Sequence, residues 1–217
     1  FTKMDGILHA EKRKPMGKIH NVEKMTDNRF VNLYHVDATS IHNTPVSYYV
    51  ASRAKDVPSL KLKTGRNDPD GVIIYSIYGK KKDKVVLVRQ YRYTLGDYIY
   101  EFPAGLVEPN EDFHEGAVRE MYEETGLKFE PLKVNPAFEK PYFTTVGMTD
   151  ESCATVYGYA SGEISKEAQE DTEEIEVVLA DRNEVKRILK EERVAIMCAY
   201  MLMHFLKDKE PFAFLEE

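Results

Sequence analysis

The stretch GLVEPNEDFHEGAVREMYEETGL, residues 105–127, constrains this chain more than any other. It predicts one helix. Asp112 and Glu115 form a D-x-x-E start, and Gly126 stands where a C-terminal stop belongs. At about 100° per residue, Glu120 and Glu124 share a face, and Glu123 lies within about 60° of Glu120. Val118, Met121 and Tyr122 fall on the opposite side and are expected to face a core. Like charges at i, i+4 cost a helix a few tenths of a kcal/mol, about as much as a good pair gains. Glu124 also opposes the macrodipole in the last turn. A plain reading is a solvated acidic face, since glutamate is a good helix former. The alternative is a hard cation that holds the carboxylates together.

Composition narrows the setting. The chain has 217 residues, 42% hydrophobic and 31% charged, with a net charge of −7. That balance excludes collagen-like, disordered and membrane classes and suggests one domain, or one domain with a small appendage. An acidic protein is a poor general binder of nucleic acid, although it can hold phosphates through a metal. No apolar run reaches the 18 residues of a membrane span, and the first residues lack the apolar segment of a signal peptide. A cytoplasmic protein is expected. Cys153 and Cys198 sit in apolar contexts and read as small buried hydrophobes rather than a disulfide or zinc site.

Along the chain, residues 1–28 read as a loose polar arm. Residues 29–41 and 46–54 read as two strands, and 57–70, with its prolines and glycines, as a linker. Segments 71–79 and 84–92 form a hairpin with a solvated lysine tip, and 97–102 is a further strand. After the helix, strands are expected over 127–140, 152–160 and 174–180. Asp181 caps a helix over the following residues. Val194, Met197, Cys198, Met201, Leu202 and Phe205 make a core-facing stripe on a last helix. The order of elements indicates an α+β or sandwich arrangement.

The spacing in 105–127 is more specific than its charge. It reads Gly, five residues, Glu, seven residues, Arg-Glu, an apolar residue, any residue, Glu-Glu, any residue, Gly, an apolar residue. At roughly 6% usage per residue type, seven fixed positions coincide by chance about once in 10⁹ windows. The stretch resembles a complete Nudix box. The resemblance implies an α+β fold, an α/β/α sandwich on a mixed sheet, over 71–217. It implies metal ligation by Glu120 and Glu124, support of the metals by Glu123, and orientation of the glutamates by Arg119. Gly105, Glu111 and Gly126 would be structural. The physics is consistent: a pyrophosphate repels a nucleophile, and Mg²⁺ (or Mn²⁺) neutralises it while aligning both reactants.

The segment VVLVRQYRYTLGDYIYEFPAG, 85–105, resembles the stretch before the box in ADP-ribose pyrophosphatases, where Q-[YF]-R and E-x-P-A-G recur. By that resemblance Arg92 contacts the pyrophosphate or the terminal ribose phosphate. Ala104 offers its carbonyl to a metal, and Glu101 sits at or beside the metal cluster. DTEEIEV, 171–177, resembles the loop that supplies a catalytic base or further ligand, which falls on Glu173. Glu170, Asp171, Glu174 and Glu176 compete for that role. Residues 29–53 are similar to the strand pair that carries base-stacking aromatics across a dimer. Phe30 and Tyr48 take their places, and Arg53 that of a substrate-binding arginine. A small antiparallel β-domain over 29–56 and a homodimer are therefore implied. TTVGMTDE, 144–151, departs from the Ser-Pro-Gly marker of the branch: Val146 replaces the proline, while Gly147 fits as a substrate-binding position.

These resemblances imply Mg²⁺-dependent cleavage of ADP-ribose into AMP and ribose 5-phosphate, and the acidic charge and lack of a long apolar run lead us to expect no nucleic-acid or membrane partner. Another nucleoside diphosphate sugar is the alternative substrate. A non-catalytic Nudix nucleotide sensor is the rival class. Sensors often lose box glutamates, and this chain keeps all of them.

Overall fold

The computed structural model describes residues 17–169 and 174–215, which divide into two compact units. The smaller comprises the described residues up to Gly65 together with Thr145–Asp150. Its sheet has strands Lys18–Lys24 (β1), Asn32–Thr39 (β2) and Pro45–Ser52 (β3), antiparallel in that order. Alternate residues of β2 turn inward, so Tyr34 and Val36 pack with Val22 and Leu60. The Tyr34 hydroxyl donates to the Ala54 carbonyl at 2.6 Å, which satisfies a phenol inside the core.

Two expectations change here. Of the loose arm expected over 1–28, residues 1–16 lie outside the described residues, and Lys18–Lys24 is a strand. It pairs along β2 with Val22 opposite Val36, and backbone pairing decides where side-chain pattern is weak. Residues 57–70 are not a plain linker either. A short helix, Lys61–Thr64 (α1), follows the fully buried Leu60, whose side chain completes the small core.

The larger unit begins with Gly71–Tyr78 (β4) and Lys84–Arg92 (β5), followed by Asp97–Glu101 (β6) and Ala104–Leu106 (β7). The helix Phe113–Thr125 (α2) comes next, then Lys128–Pro131 (β8), Pro136–Glu139 (α3) and Tyr142–Phe143 (β9). Ser152–Ser161 (β10), Ile175–Ala180 (β11), Arg182–Glu191 (α4) and Ile196–Lys207 (α5) complete it. The central order is β11-β5-β4-β10-β8, with β10 parallel to β4 and the other pairs antiparallel, hence a mixed sheet.

Alternation along these strands builds two cores. Val72, Ile74, Val86 and Val156 face α2 through Ala117 and Met121. Tyr75, Ile77, Leu87 and Tyr157 face α4 and α5 through Val185, Ile188, Leu202 and Phe205. The result is the expected α/β/α sandwich. Asp181 caps α4 by accepting from the Asn183 and Glu184 amides, and Cys198, Leu202 and Phe205 are buried on α5 as anticipated, while Val194 of the expected stripe precedes the helix. Neither Cys153 nor Cys198 is in a disulfide. Burial pushes the Cys198 thiol up, as suits a small hydrophobe, whereas Cys153 is only half-buried.

The strand expected over 127–140 stops at Pro131, and α3 follows. Asn135 caps it by accepting from the Ala137 amide at 3.0 Å, with Pro136 in the first turn. Among the described residues, no helix is long and apolar enough to cross a membrane.

One feature of the sheet places the site. Strand β5 pairs with β4 only at Val85 and Lys84, then diverges. The vacated edge of β4 is taken by β7, with Val72 opposite Gly105 and Ile73 opposite Ala104. The Ile74 amide continues this edge by donating to the Pro103 carbonyl at 2.9 Å.

Candidate active site

Helix α2 starts and stops as its sequence dictates. The Asp112 side chain accepts from the His114 amide at 2.9 Å. Gly126 adopts φ 73°, and its amide closes onto the Tyr122 carbonyl. Met121 is buried as expected, but the other two residues of the expected core face are not. Val118 is 40% exposed and Tyr122 57%, while Gly116, Ala117, Met121, Glu124 and Thr125 are buried. The carboxylates turn toward β7 because β7 and Arg119 supply polar partners there, so charge does not force that side into solvent.

Arg119 organises the acids. Its Nε and Nη2 donate to the two oxygens of Glu111 at 2.9 and 3.0 Å, a bidentate fork. Nη1 donates to Glu120 at 2.7 Å and to Glu123 at 2.9 Å, and Nη2 also reaches the Leu106 carbonyl at 3.0 Å. The arginine is held firmly charged, chiefly by Glu111. The same fork holds the Glu111 carboxyl below its usual range, with help from the Glu108 amide. Gly116 makes room for this, since a Cβ there would stand 3.0 Å from Glu111 Oε2.

Glu120 lies directly over Gly105: a Cβ on Gly105 would fall within its carboxylate. Glu124, 3% exposed, accepts from the Ala104 amide at 3.2 Å. Thus Ala104, Gly105, Glu111, Arg119, Glu120, Glu123 and Glu124 are brought together. Glu101, on β6, pairs with Arg92 Nε at the end of β5, at 2.6 Å. Among the described residues, no three acidic, imidazole or thiol side chains form a ready-made metal cage. The donor set nevertheless suits a hard cation. Mg²⁺ takes one or two carboxylates, keeps several waters and completes its shell from phosphate. Glu120 and Glu124 beside a glycine cradle, with the Ala104 carbonyl in the same strand, offer oxygens of that kind.

Phe30, Tyr48, Arg53 and Gly147 belong to the smaller unit. Phe30 is 61% exposed with the Arg29 guanidinium 4.8 Å from its ring centre. Tyr48, on β3, is 42% exposed and donates from its hydroxyl to the Gly147 carbonyl. Gly147 belongs to the same unit, where the Ala51 amide donates to the Met148 carbonyl at 2.9 Å. Arg53 follows β3 and is half-buried. Glu173 lies outside the described residues.

Sequence reasoning missed Gly116, the carbonyl of Leu106 and Gln169, whose Nε2 donates to the Glu124 carbonyl at 2.6 Å. Gly116 carried a signal, because a glycine inside a helix costs about 1 kcal/mol against alanine and needs a reason. It also missed a bridge at the helix start. His114 contacts Asp112 at 2.9 Å and the buried Glu139 at 3.0 Å.

A mixed sheet flanked by helices thus carries an arginine-clamped set of glutamates that faces a short inserted strand. The chain belongs to the NUDIX family: the NUDIX domain model matches residues 68–198, more than half of the sequence. It is 34% identical to an ADP-sugar pyrophosphatase of Mus musculus over 102 residues, 46% of this chain and 47% of that protein. It is 35% identical to an ADP-ribose pyrophosphatase of Bacillus subtilis over 105 residues, covering 45% and 53%. The matches span about half the length of these curated relatives. Among solved structures, an ADP compounds hydrolase shares the fold with a TM-score of 0.58 at 19% identity, covering 81% of this chain and 83% of that one.

Proposed function

We propose that this protein hydrolyses the pyrophosphate bond of ADP-ribose, giving AMP and ribose 5-phosphate, with a divalent cation, Mg²⁺ or alternatively Mn²⁺. The observation that carries the reading is the convergence of Glu120 and Glu124 on Ala104–Gly105, with Arg119 holding Glu120. In this reading Glu120, Glu124, the Ala104 carbonyl and Glu101 hold the cation, which when bound neutralises the phosphate oxygens and acidifies water. Arg119 fixes the glutamates, and Glu123 supports them. Glu173 takes the proton of the attacking water. Arg92 and Arg53 bind phosphate and ribose oxygens through charge-assisted hydrogen bonds. Phe30 and Tyr48, supplied by a second copy of the chain, stack on the base, with Gly147 beside them. The protein acts as a cytoplasmic homodimer on a small molecule, without nucleic-acid or membrane partners.

A second reading is supported by Val146, which stands where the branch usually has proline. It keeps the chemistry and changes the substrate to another nucleoside diphosphate sugar. Phosphate release over a panel of nucleotide sugars, with a coupled phosphatase and added Mg²⁺, tests both. Highest kcat/KM on ADP-ribose is expected. A clear preference for another sugar nucleotide selects the second reading, and no turnover of any member overturns both.

A further inference from the structure

The last turn of α2 carries Glu123 and Glu124 and no basic residue. The partial negative charge at a helix C-terminus would ordinarily favour a cation there. Here the terminal carbonyls are met by neutral donors from one short stretch of chain. Gln169 Nε2 donates to the Glu124 carbonyl at 2.6 Å, and the Ser165 amide donates to the Thr125 carbonyl at 3.0 Å. Gly126 permits that approach, because a Cβ on it would stand 2.5 Å from the Ser165 nitrogen. A lysine or arginine would satisfy the same carbonyls. Its charge would also fall within reach of the Glu124 carboxylate and compete for it. An uncharged amide secures the helix end without that competition.

We infer that Gln169, which lies outside the box, is a positioning residue for Glu124. Its side-chain amide pins the main chain of the residue whose carboxylate also accepts from Ala104. Helix ends open locally when their terminal carbonyls lose partners. Opening here would carry Glu124 away from β7. The inference rests on the proposed role of Glu124 in holding the cation.

Three variants test it. Gln169→Glu keeps the shape but is acceptor-only at neutral pH, so it cannot donate to a carbonyl. Gln169→Ala removes the group, and Gln169→Lys restores a donor while adding charge. Two measurements are made: amide hydrogen exchange over 122–127 in metal-free protein, and Mn²⁺ binding followed by paramagnetic resonance of the free ion. Gln169→Glu and Gln169→Ala are expected to speed exchange and to weaken Mn²⁺ binding, each by about tenfold, the scale for losing a group that orients a ligand. KM for ADP-ribose at saturating metal stays at the wild-type value. Gln169→Lys keeps slow exchange yet still weakens Mn²⁺ binding. Wild-type Mn²⁺ affinity in Gln169→Glu, whatever its exchange rate, overturns the inference and leaves the hydrolase reading standing. If the wild-type chain cleaves no nucleotide sugar of the panel while both variant effects are present, the hydrolase reading falls and the role of Gln169 stands.

Discussion

Glu120 and Gly105 occupy adjoining space so completely that a methyl group on Gly105 would fall inside the Glu120 carboxylate. Because the conflict is with the far end of a flexible side chain, Gly105→Ala is expected to leave the fold intact and swing Glu120 away. Turnover should fall about a hundredfold, and the Mg²⁺ concentration for half activity should rise about tenfold, as for displaced metal ligation. Thermal unfolding and a Mg²⁺ titration of activity check this. A normal Mg²⁺ midpoint would disconnect Glu120 from the cation.

Glu120→Gln and Glu124→Gln are each expected to lower turnover by at least about two orders of magnitude, since an amide keeps size but loses the charge that holds the cation. Their metal-free stabilities should differ. Glu124 is buried with its carboxylate on a backbone amide, so neutralising it relieves repulsion and Tm should hold or rise. Glu120 pairs with Arg119 at 2.7 Å, so its neutralisation should lower Tm. Calorimetry with chelator distinguishes the two.

Arg119→Ala leaves Glu111 without its bidentate partner, which should cost about 1–3 kcal/mol of stability. The acid limb of the stability curve supplies a further check. Arg119 holds the folded-state pKa of Glu111 below the usual 4.5. A depressed carboxyl contributes stability that is present above the unfolded value and is lost as pH falls through the folded one. The wild type should therefore lose stability as pH drops below about 4.5, and the variant should lose less over the same interval. Denaturant midpoints measured between neutral and acid pH would show parallel curves if the fork contributes nothing.

Tyr48→Ala is expected to raise KM for ADP-ribose by roughly 5- to 100-fold, the equivalent of about 1–3 kcal/mol of stacking, with little change in kcat. Tyr48→Phe separates the ring from the hydroxyl that reaches the Gly147 carbonyl. If stacking is the ring's role, Phe retains a low KM. Substituting Glu173 should have the opposite signature, a lower kcat at constant KM. Unchanged KM in Tyr48→Ala would remove the base clamp and favour a different sugar nucleotide.

The smaller unit exposes Phe30, before β2, and Val46, Tyr48 and Tyr49 on β3. Sedimentation equilibrium at micromolar concentration is expected to give twice the chain mass of 25.0 kDa. A fully active monomer would refute the dimer.

Much of this was legible beforehand, and the reasons are local. Asp112, Gly126 and Asp181 announce helix ends because capping depends on one or two neighbouring residues. The stripe of α5 was readable because its burial follows helical period alone. Apart from Met121, the buried side of α2 was not. Glu120 and Glu124 turn inward because β7 lies against them, and a wheel drawn on α2 contains no knowledge of β7. Lys18–Lys24 escaped for a similar reason: its pairing with β2 is a backbone matter, and its side chains show no clear alternation. Gln169 carries no local mark, since its partner is a main-chain oxygen far back in the chain.

The divergence of β5 from β4 sets where this chain tolerates changes of length. Residues added in the turn between β4 and β5 only lengthen a loop, at a closure cost that grows with the logarithm of its size. Between Glu101 and Ala104 there is no such freedom. One extra residue there would shift β7 against β4 by a register step and exchange the faces of Ala104 and Gly105. The spacer Phe102-Pro103 thus acts as a ruler, and its length matters to the site as much as the identity of any glutamate on α2.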